Sequence, residues 1–288
     1  MFRYILVEAT GRETDMPVFR TALTLARIHA AHIAFLHVQP DVRKLAIPVG
    51  SAEYGAGAGV AEFIAWLEQE ALTRHDKAKE AVQDFCVRQA ITMSTTPLDA
   101  SPSAEWRVEH GEEAHWVAVH GRVADLTLLG CVREHGRVSM DVVDAALMET
   151  GRPILILPAL PPAQIGQTVA IAWKDTAEAS SAIAAALPLL RMAQQVIILS
   201  VVEDTRTDAA ACERLRHALA WHNRATTVQC LTASGGEPAD ILLKAAAEFG
   251  ADLLVMGGYG HSRMREVVLG GFTRRVLQAA ELPVLMAR

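Results

Sequence analysis

The chain has 288 residues, 51% of them hydrophobic and 21% charged, a composition that supplies one or more large cores and excludes an intrinsically disordered protein. Its 27 basic and 33 acidic residues leave a formal charge of −6 without a long basic run, which disfavours a nucleic-acid partner because neutralising phosphates needs concentrated Lys and Arg. Nothing approaches the roughly 18 consecutive apolar residues of a membrane span, and the opening Met1-Phe2-Arg3-Tyr4-Ile5-Leu6-Val7-Glu8 suits neither a span nor a secretory leader, so a cytoplasmic protein with no membrane partner is expected.

In chain order, Tyr4-Ile5-Leu6-Val7 predicts a short buried strand, Pro17 to His29 a helix and His32 to Val38 a second strand. An insertion at about 39–75 follows, in which Pro48-Val49-Gly50 and Gly55-Ala56-Gly57-Ala58-Gly59 predict a flexible stretch. Behind it Phe63, Ile64, Leu67, Ala71, Ala78, Val82 and Phe85 repeat at helical spacing, which predicts a long helix packed on the core. His110, His115 and His120 are evenly spaced by five; steps of five rotate by about 140° on a helix, so the rings share no face as metal ligands would. Ala124-Asp125-Leu126-Thr127-Leu128-Leu129-Gly130 and Pro153-Ile154-Leu155-Ile156-Leu157 are two further strands, and the Pro-rich Pro158 to Gly166 is a seam that opposes both helix and central strand.

The second half repeats the first. Val169-Ala170-Ile171-Ala172 stands beside Tyr4 to Val7, Gln195 to Val201 beside His32 to Val38, Ala251 to Gly257 beside Ala124 to Gly130, and Pro283 to Ala287 beside Pro153 to Leu157. Helices are expected over Ala177 to Met192, Pro238 to Phe249 and Phe272 to Ala280. Continuous apolar strand runs alternating with helices indicate βαβ units. The expected fold is therefore α/β, two tandem Rossmann-like domains over 1–162 and 163–288, each an open five-stranded parallel sheet with helices on both faces. Cys86, Cys131, Cys212 and Cys230 form no CxxC pair and are expected to be reduced, buried thiols.

Ligands of such sheets sit beyond the carboxyl ends of the strands. There the second copy carries Met256-Gly257-Gly258-Tyr259-Gly260-His261-Ser262-Arg263 and, further on, Leu269-Gly270-Gly271-Phe272-Thr273-Arg274-Arg275. Bare main-chain N–H groups beside a helix start suit phosphates, with Arg274 and Arg275 lending positive potential. Glycines that merely permit tight turns are the competing explanation. The first copy reads Gly130-Cys131-Val132-Arg133-Glu134-His135-Gly136 at the same place, with Asp141 and Asp144 near its helix start, so the glycine-rich pattern belongs to the second copy alone. Trp173 suits stacking on a purine or a wedge between helices, and Lys174 suits a phosphate or a pair with Asp175 or Glu178.

The run Gly257, two residues, Gly260, nine residues, Gly270 resembles the G-x2-G-x9-G-[ST] signature of universal stress proteins, with Gly271 where the signature has Ser or Thr. The resemblance covers about Thr168 to Arg288 well and the first half more loosely. It implies ATP or a related adenine nucleotide as ligand. It places Gly257, Gly260 and His261 by the ribose and phosphates, Gly270, Gly271, Phe272 and Thr273 around the phosphates, and Ala172, Trp173, Lys174, Asp175 and Val202 around the base, with Met256 also among the binding residues. It also implies domains paired through their last strands, inside one chain or in a homodimer. A regulatory nucleotide-binding module, a slow ATP hydrolase or adenylate-transferring enzyme in which Asp175 holds Mg²⁺ and His261 touches the phosphates, and a nucleotide-independent scaffold all remain compatible with these residues. The Walker pattern GxxxxGK[ST] is absent.

Overall fold

The computed structural model describes residues 1–41, 57–98, 101–130, 140–202, 209–232, 236–258 and 271–288. In the N-terminal half β1 (Tyr4–Glu8), α1 (Asp15–His29), β2 (His32–Gln39), α2 (Gly57–Gln89), β3 (Thr92–Met93), β4 (Ser103–His110), α3 (Glu113–Gly121), β5 (Leu126–Leu129), α4 (Met140–Glu149) and β6 (Ile154–Ile156) follow one another. The C-terminal half continues with β7 (Thr168–Ala172), α5 (Ala177–Leu190), β8 (Gln195–Val202), α6 (Ala209–Leu219), β9 (Thr226–Thr232), α7 (Pro238–Glu248), β10 (Leu253–Gly257), α8 (Gly271–Ala279) and β11 (Val284–Ala287).

These strands form one sheet in the order β3-β4-β2-β1-β5-β6-β11-β10-β7-β8-β9. Every pairing is parallel except β6 with β11, where Ile154 faces Met286 and Ile156 faces Val284. The two last strands thus join the halves edge to edge, and neither edge remains open to another chain. The C-terminal half is the expected five-stranded sheet, whereas the N-terminal half gains a sixth, two-residue strand, β3, beside β4.

Alternation along the strands divides the core by face. Ile5, Val7, Val169 and Ile171 point to the side covered by α1, α2, α5 and α6; Leu6 and Ala170 point to the side covered by α3, α4, α7 and α8. Both faces of each central strand are buried, which is why the strands read as unbroken apolar runs. On the first face Phe19, Phe35 and Phe85 meet edge-on or tilted, with centroids 4.8 to 6.4 Å apart, the geometry that adds about 0.5–1.5 kcal/mol per pair beyond area burial.

Three expectations are corrected. The long insertion helix is core-packed only in its second half: Ala71, Ala78, Val82 and Phe85 are buried, but Phe63 and Trp66 are 40% and 59% exposed and stack on each other at 6.0 Å. The hydrophobic spacing runs on past the end of the sheet that could have covered it. Cys86 and Cys212 are buried thiols, whereas Cys230 is exposed because it lies on the edge strand β9; Cys131 lies outside the described residues. Finally, the repeat is in register one residue away from the pairing of Tyr4 with Val169. Asp125 N–H donates to the Tyr4 carbonyl at 2.8 Å and Asp252 N–H to the Thr168 carbonyl at 2.9 Å. The carboxylate of Asp125 accepts from Arg3 and Tyr4 N–H at 2.7 and 3.0 Å, and that of Asp252 from Gly166 and Gln167 N–H at 2.7 and 2.9 Å. The carbonyl bonds and the strand register, Ile5 beside Leu126 and Val169 beside Leu253, make Tyr4 correspond to Thr168, and Glu8 to Ala172.

No helix among the described residues is long and apolar enough to cross a membrane.

Candidate functional site

At the carboxyl edge of the C-terminal half, Ala172 ends β7 between Leu199 of β8 and Met256 of β10. The chain leaves as Trp173-Lys174-Asp175 and enters α5 through Thr176, an extended N-cap residue whose hydroxyl accepts from Ala179 N–H at 3.3 Å. Trp173 N–H donates to the Leu199 carbonyl at 2.8 Å, and its half-buried ring packs against the core on the α1, α2, α5, α6 side. The ring is a wedge, yet its indole Nε1–H is buried with no acceptor, and a buried donor left unpaired costs about 1–3 kcal/mol.

Lys174 is exposed. Asp175 is also exposed, and its Oδ2 accepts from Arg214 Nη2 of α6 at 3.1 Å. Arg214 was invisible as a site residue, since no local pattern links α6 to the end of β7. With both side chains about two-thirds exposed, this pair contributes roughly 0–1 kcal/mol and exchanges readily for another ligand of Asp175.

The glycines separate into two kinds. A Cβ at Gly257 would stand 2.5 Å from Ala179 N and 2.7 Å from Glu178 C, so the backbone of the first turn of α5 occupies the space. A Cβ at Gly258 would stand 2.5 Å from Leu147 Cδ2 on α4 of the N-terminal half, while Gly258 N–H donates to the Ala287 carbonyl at 2.9 Å. Packing alone accounts for these two. Gly271 differs: it opens α8, and a Cβ there would meet nothing within 4 Å. Next to it Phe272 packs on the second core face and Thr273 is buried. Arg275 lends less free charge than expected, because Asp240 of α7 binds its Nε and Nη2 at 2.8 and 3.0 Å. The structure thus brings together Ala172, Met256, Gly257 and the Trp173-Lys174-Asp175 turn. Val202 ends the neighbouring β8, while Gly260, His261 and Gly270 lie outside the described residues.

The corresponding edge of the N-terminal half is built differently. Glu8, in the place of Ala172, is 5% exposed, and its carboxyl group is set against that of Glu113. Burial first, and then the neighbouring Glu113 carboxylate, push its carboxyl well above the usual carboxylate range. His37 Nδ1 sits 2.7 Å from the Ala9 carbonyl; a carbonyl only accepts, so that nitrogen carries the proton and the buried, unpartnered Nε2 presents a lone pair. Trp106 stacks on this ring at 5.8 Å, and burial lowers the histidine's pKa. Where the second half leaves a methyl group, the first half fills the space with a carboxyl side chain. His110 ends β4 and His115 lies on α3. On the same helix His120 Nε2 lies 2.8 Å from Glu109 Oε1. Among the described residues no three His, Cys, Asp or Glu side chains are grouped to hold a metal ion.

Residues 167–288 match the model of the universal stress protein family. A 53-residue stretch is 32% identical to a universal stress protein of Methanocaldococcus jannaschii, covering 18% of this chain and 33% of that protein. A 55-residue stretch is 40% identical to one of Bacillus subtilis, covering 19% and 37%. The aligned part of the chain thus spans about a third of the length of each relative. Over the whole chain the fold is similar to the solved structure of a universal stress protein from Archaeoglobus fulgidus, with a TM-score of 0.66 at 15% identity over 99% of this chain and 98% of that one. A universal stress protein structure from Pseudomonas aeruginosa gives 0.59 at 15% identity over 99% and 93%.

Proposed function

We propose, for a chain that belongs to the universal stress protein family, that its C-terminal half binds ATP or a related adenine nucleotide at the carboxyl edge of β7 and β10 as a regulatory module of a cytoplasmic stress response. The reading rests on one observation: the corresponding edges of the two halves differ, the second left uncrowded by a small side chain and the first filled by a buried carboxyl group. Ala172 and the open space over Gly271 stand at the second edge; the buried Glu8 with Glu113 stands at the first.

The residues present fit such a ligand. The unpaired Nε1–H of Trp173 offers a donor beside the turn, and Gly271, where a Cβ would meet nothing within 4 Å, opens α8, and at a helix start unpaired N–H groups and the dipole favour negative charge. In this reading Gly257, Gly260 and His261 lie by the ribose and phosphates, Gly270, Gly271 and Thr273 around the phosphates, and the Ala172 to Asp175 turn by the base. Mg²⁺, where it accompanies the phosphates, would be held by Asp175 after its exchange from Arg214.

Gly271→Asp tests the reading. Its carboxylate enters open space at a helix start, so folding is spared while a phosphate is repelled. Equilibrium titration with ATP should show affinity falling at least tenfold in this variant; unchanged affinity overturns the assigned edge. Mass spectrometry of whatever small molecule leaves the denatured protein identifies the base.

A further inference from the structure

We infer that Cys230 and Cys212 form an oxidant-responsive thiol pair that closes to a disulfide between β9 and α6. Strand pairing sets Ser200 of β8 directly beside Cys230 of β9, two residues after Ile198 beside Val228. Since side chains alternate, Ile198, Ser200, Val228 and Cys230 share one sheet face. Ile198 and Val228 belong to the core on that face, and so does Cys212. Cys212 lies in the first turn of α6, which follows β8 and precedes β9. A helix between two parallel strands runs back against them, so its first turn lies level with their last residues, where Ser200 and Cys230 stand. The Cys212 thiol accordingly lies against the Ser200 hydroxyl and the Cys230 thiol.

The two sulfurs differ in access. Cys230 is exposed on the edge strand, and Cys212 is 1% exposed. A solvent-accessible thiol poised next to a second thiol is the arrangement in which the first is oxidised and the second resolves it. The oxidant is a hydroperoxide. The Cys230 thiolate attacks the outer peroxide oxygen, the O–O bond breaks, and the alkoxide or hydroxide leaves with the thiol's proton as alcohol or water. The Cys212 sulfur then attacks the sulfenic sulfur; the S–S bond forms, the S–O bond breaks, and hydroxide leaves with the Cys212 proton as water. Two thiols supply the two electrons that reduce one hydroperoxide. The cross-link ties α6, which carries Arg214 opposite Asp175, to the edge strand. This inference stands independently of the nucleotide reading.

The test treats the full chain with hydrogen peroxide and maps its peptides by mass spectrometry without reduction. A linked Cys212–Cys230 peptide, lighter by two hydrogens, with Cys86 and Cys131 still free, is expected. Cys230→Ser, a change at an exposed position, should abolish it. In Cys212→Ser the sulfenic acid on Cys230 should persist and be trapped by dimedone far more than in the unaltered chain. Recovery of Cys212 and Cys230 on separate, unlinked peptides after peroxide, linkage of Cys230 to Cys86 or Cys131, or equal dimedone labelling of the two chains overturns the inference.

Discussion

Leu147 on α4 fills the space in which a side chain at Gly258 would have to lie, 2.5 Å from its Cδ2, so a glycine of the C-terminal half is shaped by a leucine of the N-terminal half. The contact lies beside the antiparallel junction of β6 and β11, where Gly258 N–H holds the Ala287 carbonyl. Gly258→Ala should destabilise the chain by about 1–3 kcal/mol through overpacking, and Leu147→Ala by about 2–5 kcal/mol through its cavity. The double variant should cost clearly less than the two together, because the new methyl enters the vacated space. Urea unfolding of all four proteins checks this, and strict additivity would show that the two positions do not meet.

Gly257→Ala should be harsher than Gly258→Ala. Its Cβ meets backbone atoms of Ala179 and Glu178 rather than the end of a side chain, and backbone in the capped first turn of α5 moves only if the Thr176 cap opens. We expect a loss of about 2 kcal/mol or more in thermal or denaturant unfolding, within the large-effect class of strain at a close approach.

Gly271→Asp, by contrast, should leave stability unchanged or raise it by a few tenths of a kcal/mol, since an acidic residue at a helix start is favourable and the position is open. Circular dichroism melts of this variant beside Gly257→Ala separate a glycine required by packing from one that packing leaves unexplained.

Glu8 makes stability depend on pH. Its folded carboxyl holds its proton above the ordinary value of 4.5, chiefly because it is buried and next because of Glu113. Below that value both folded and unfolded states are protonated and nothing is lost. As pH rises from there through the folded pKa, the unfolded state ionises more easily, so stability falls by about 1.4 kcal/mol for each unit of separation. Glu8→Gln removes this titration. Unfolding free energies from pH 4 to 8 should show the variant gaining on the unaltered chain as pH rises, and a constant difference would show that Glu8 titrates normally.

Asp125 and Asp252 each use a carboxylate to gather two successive N–H groups at the start of the first strand of their half. Asp252→Ala should cost about 1–3 kcal/mol by leaving the Gly166 and Gln167 donors unpaired. Hydrogen exchange should quicken at those two amides while the amides of Arg3 and Tyr4 remain protected.

Most of the architecture was legible in the residues themselves. Burial on both faces of a parallel sheet leaves unbroken apolar runs, the helices between them carry period-3.6 patterns, and two copies of one order of elements are visible as Ala124 to Gly130 beside Ala251 to Gly257. The glycine spacing from Gly257 to Gly270 was legible as well, because it lies within one short stretch. Tertiary structure decided what depends on neighbours distant in the chain. Sheet order assigns Asp125 to Tyr4 and Asp252 to Thr168; that one-residue shift turns a strand's side chains to the opposite face and sets Glu8 rather than Val7 in the place of Ala172. Sheet order likewise exposes Cys230 at an edge, brings Arg214 to Asp175, and lays Leu147 over Gly258. Periodicity records how a segment divides its own faces between core and solvent, whereas the identity of the residue across a contact depends on crossovers that bring segments together from far along the chain.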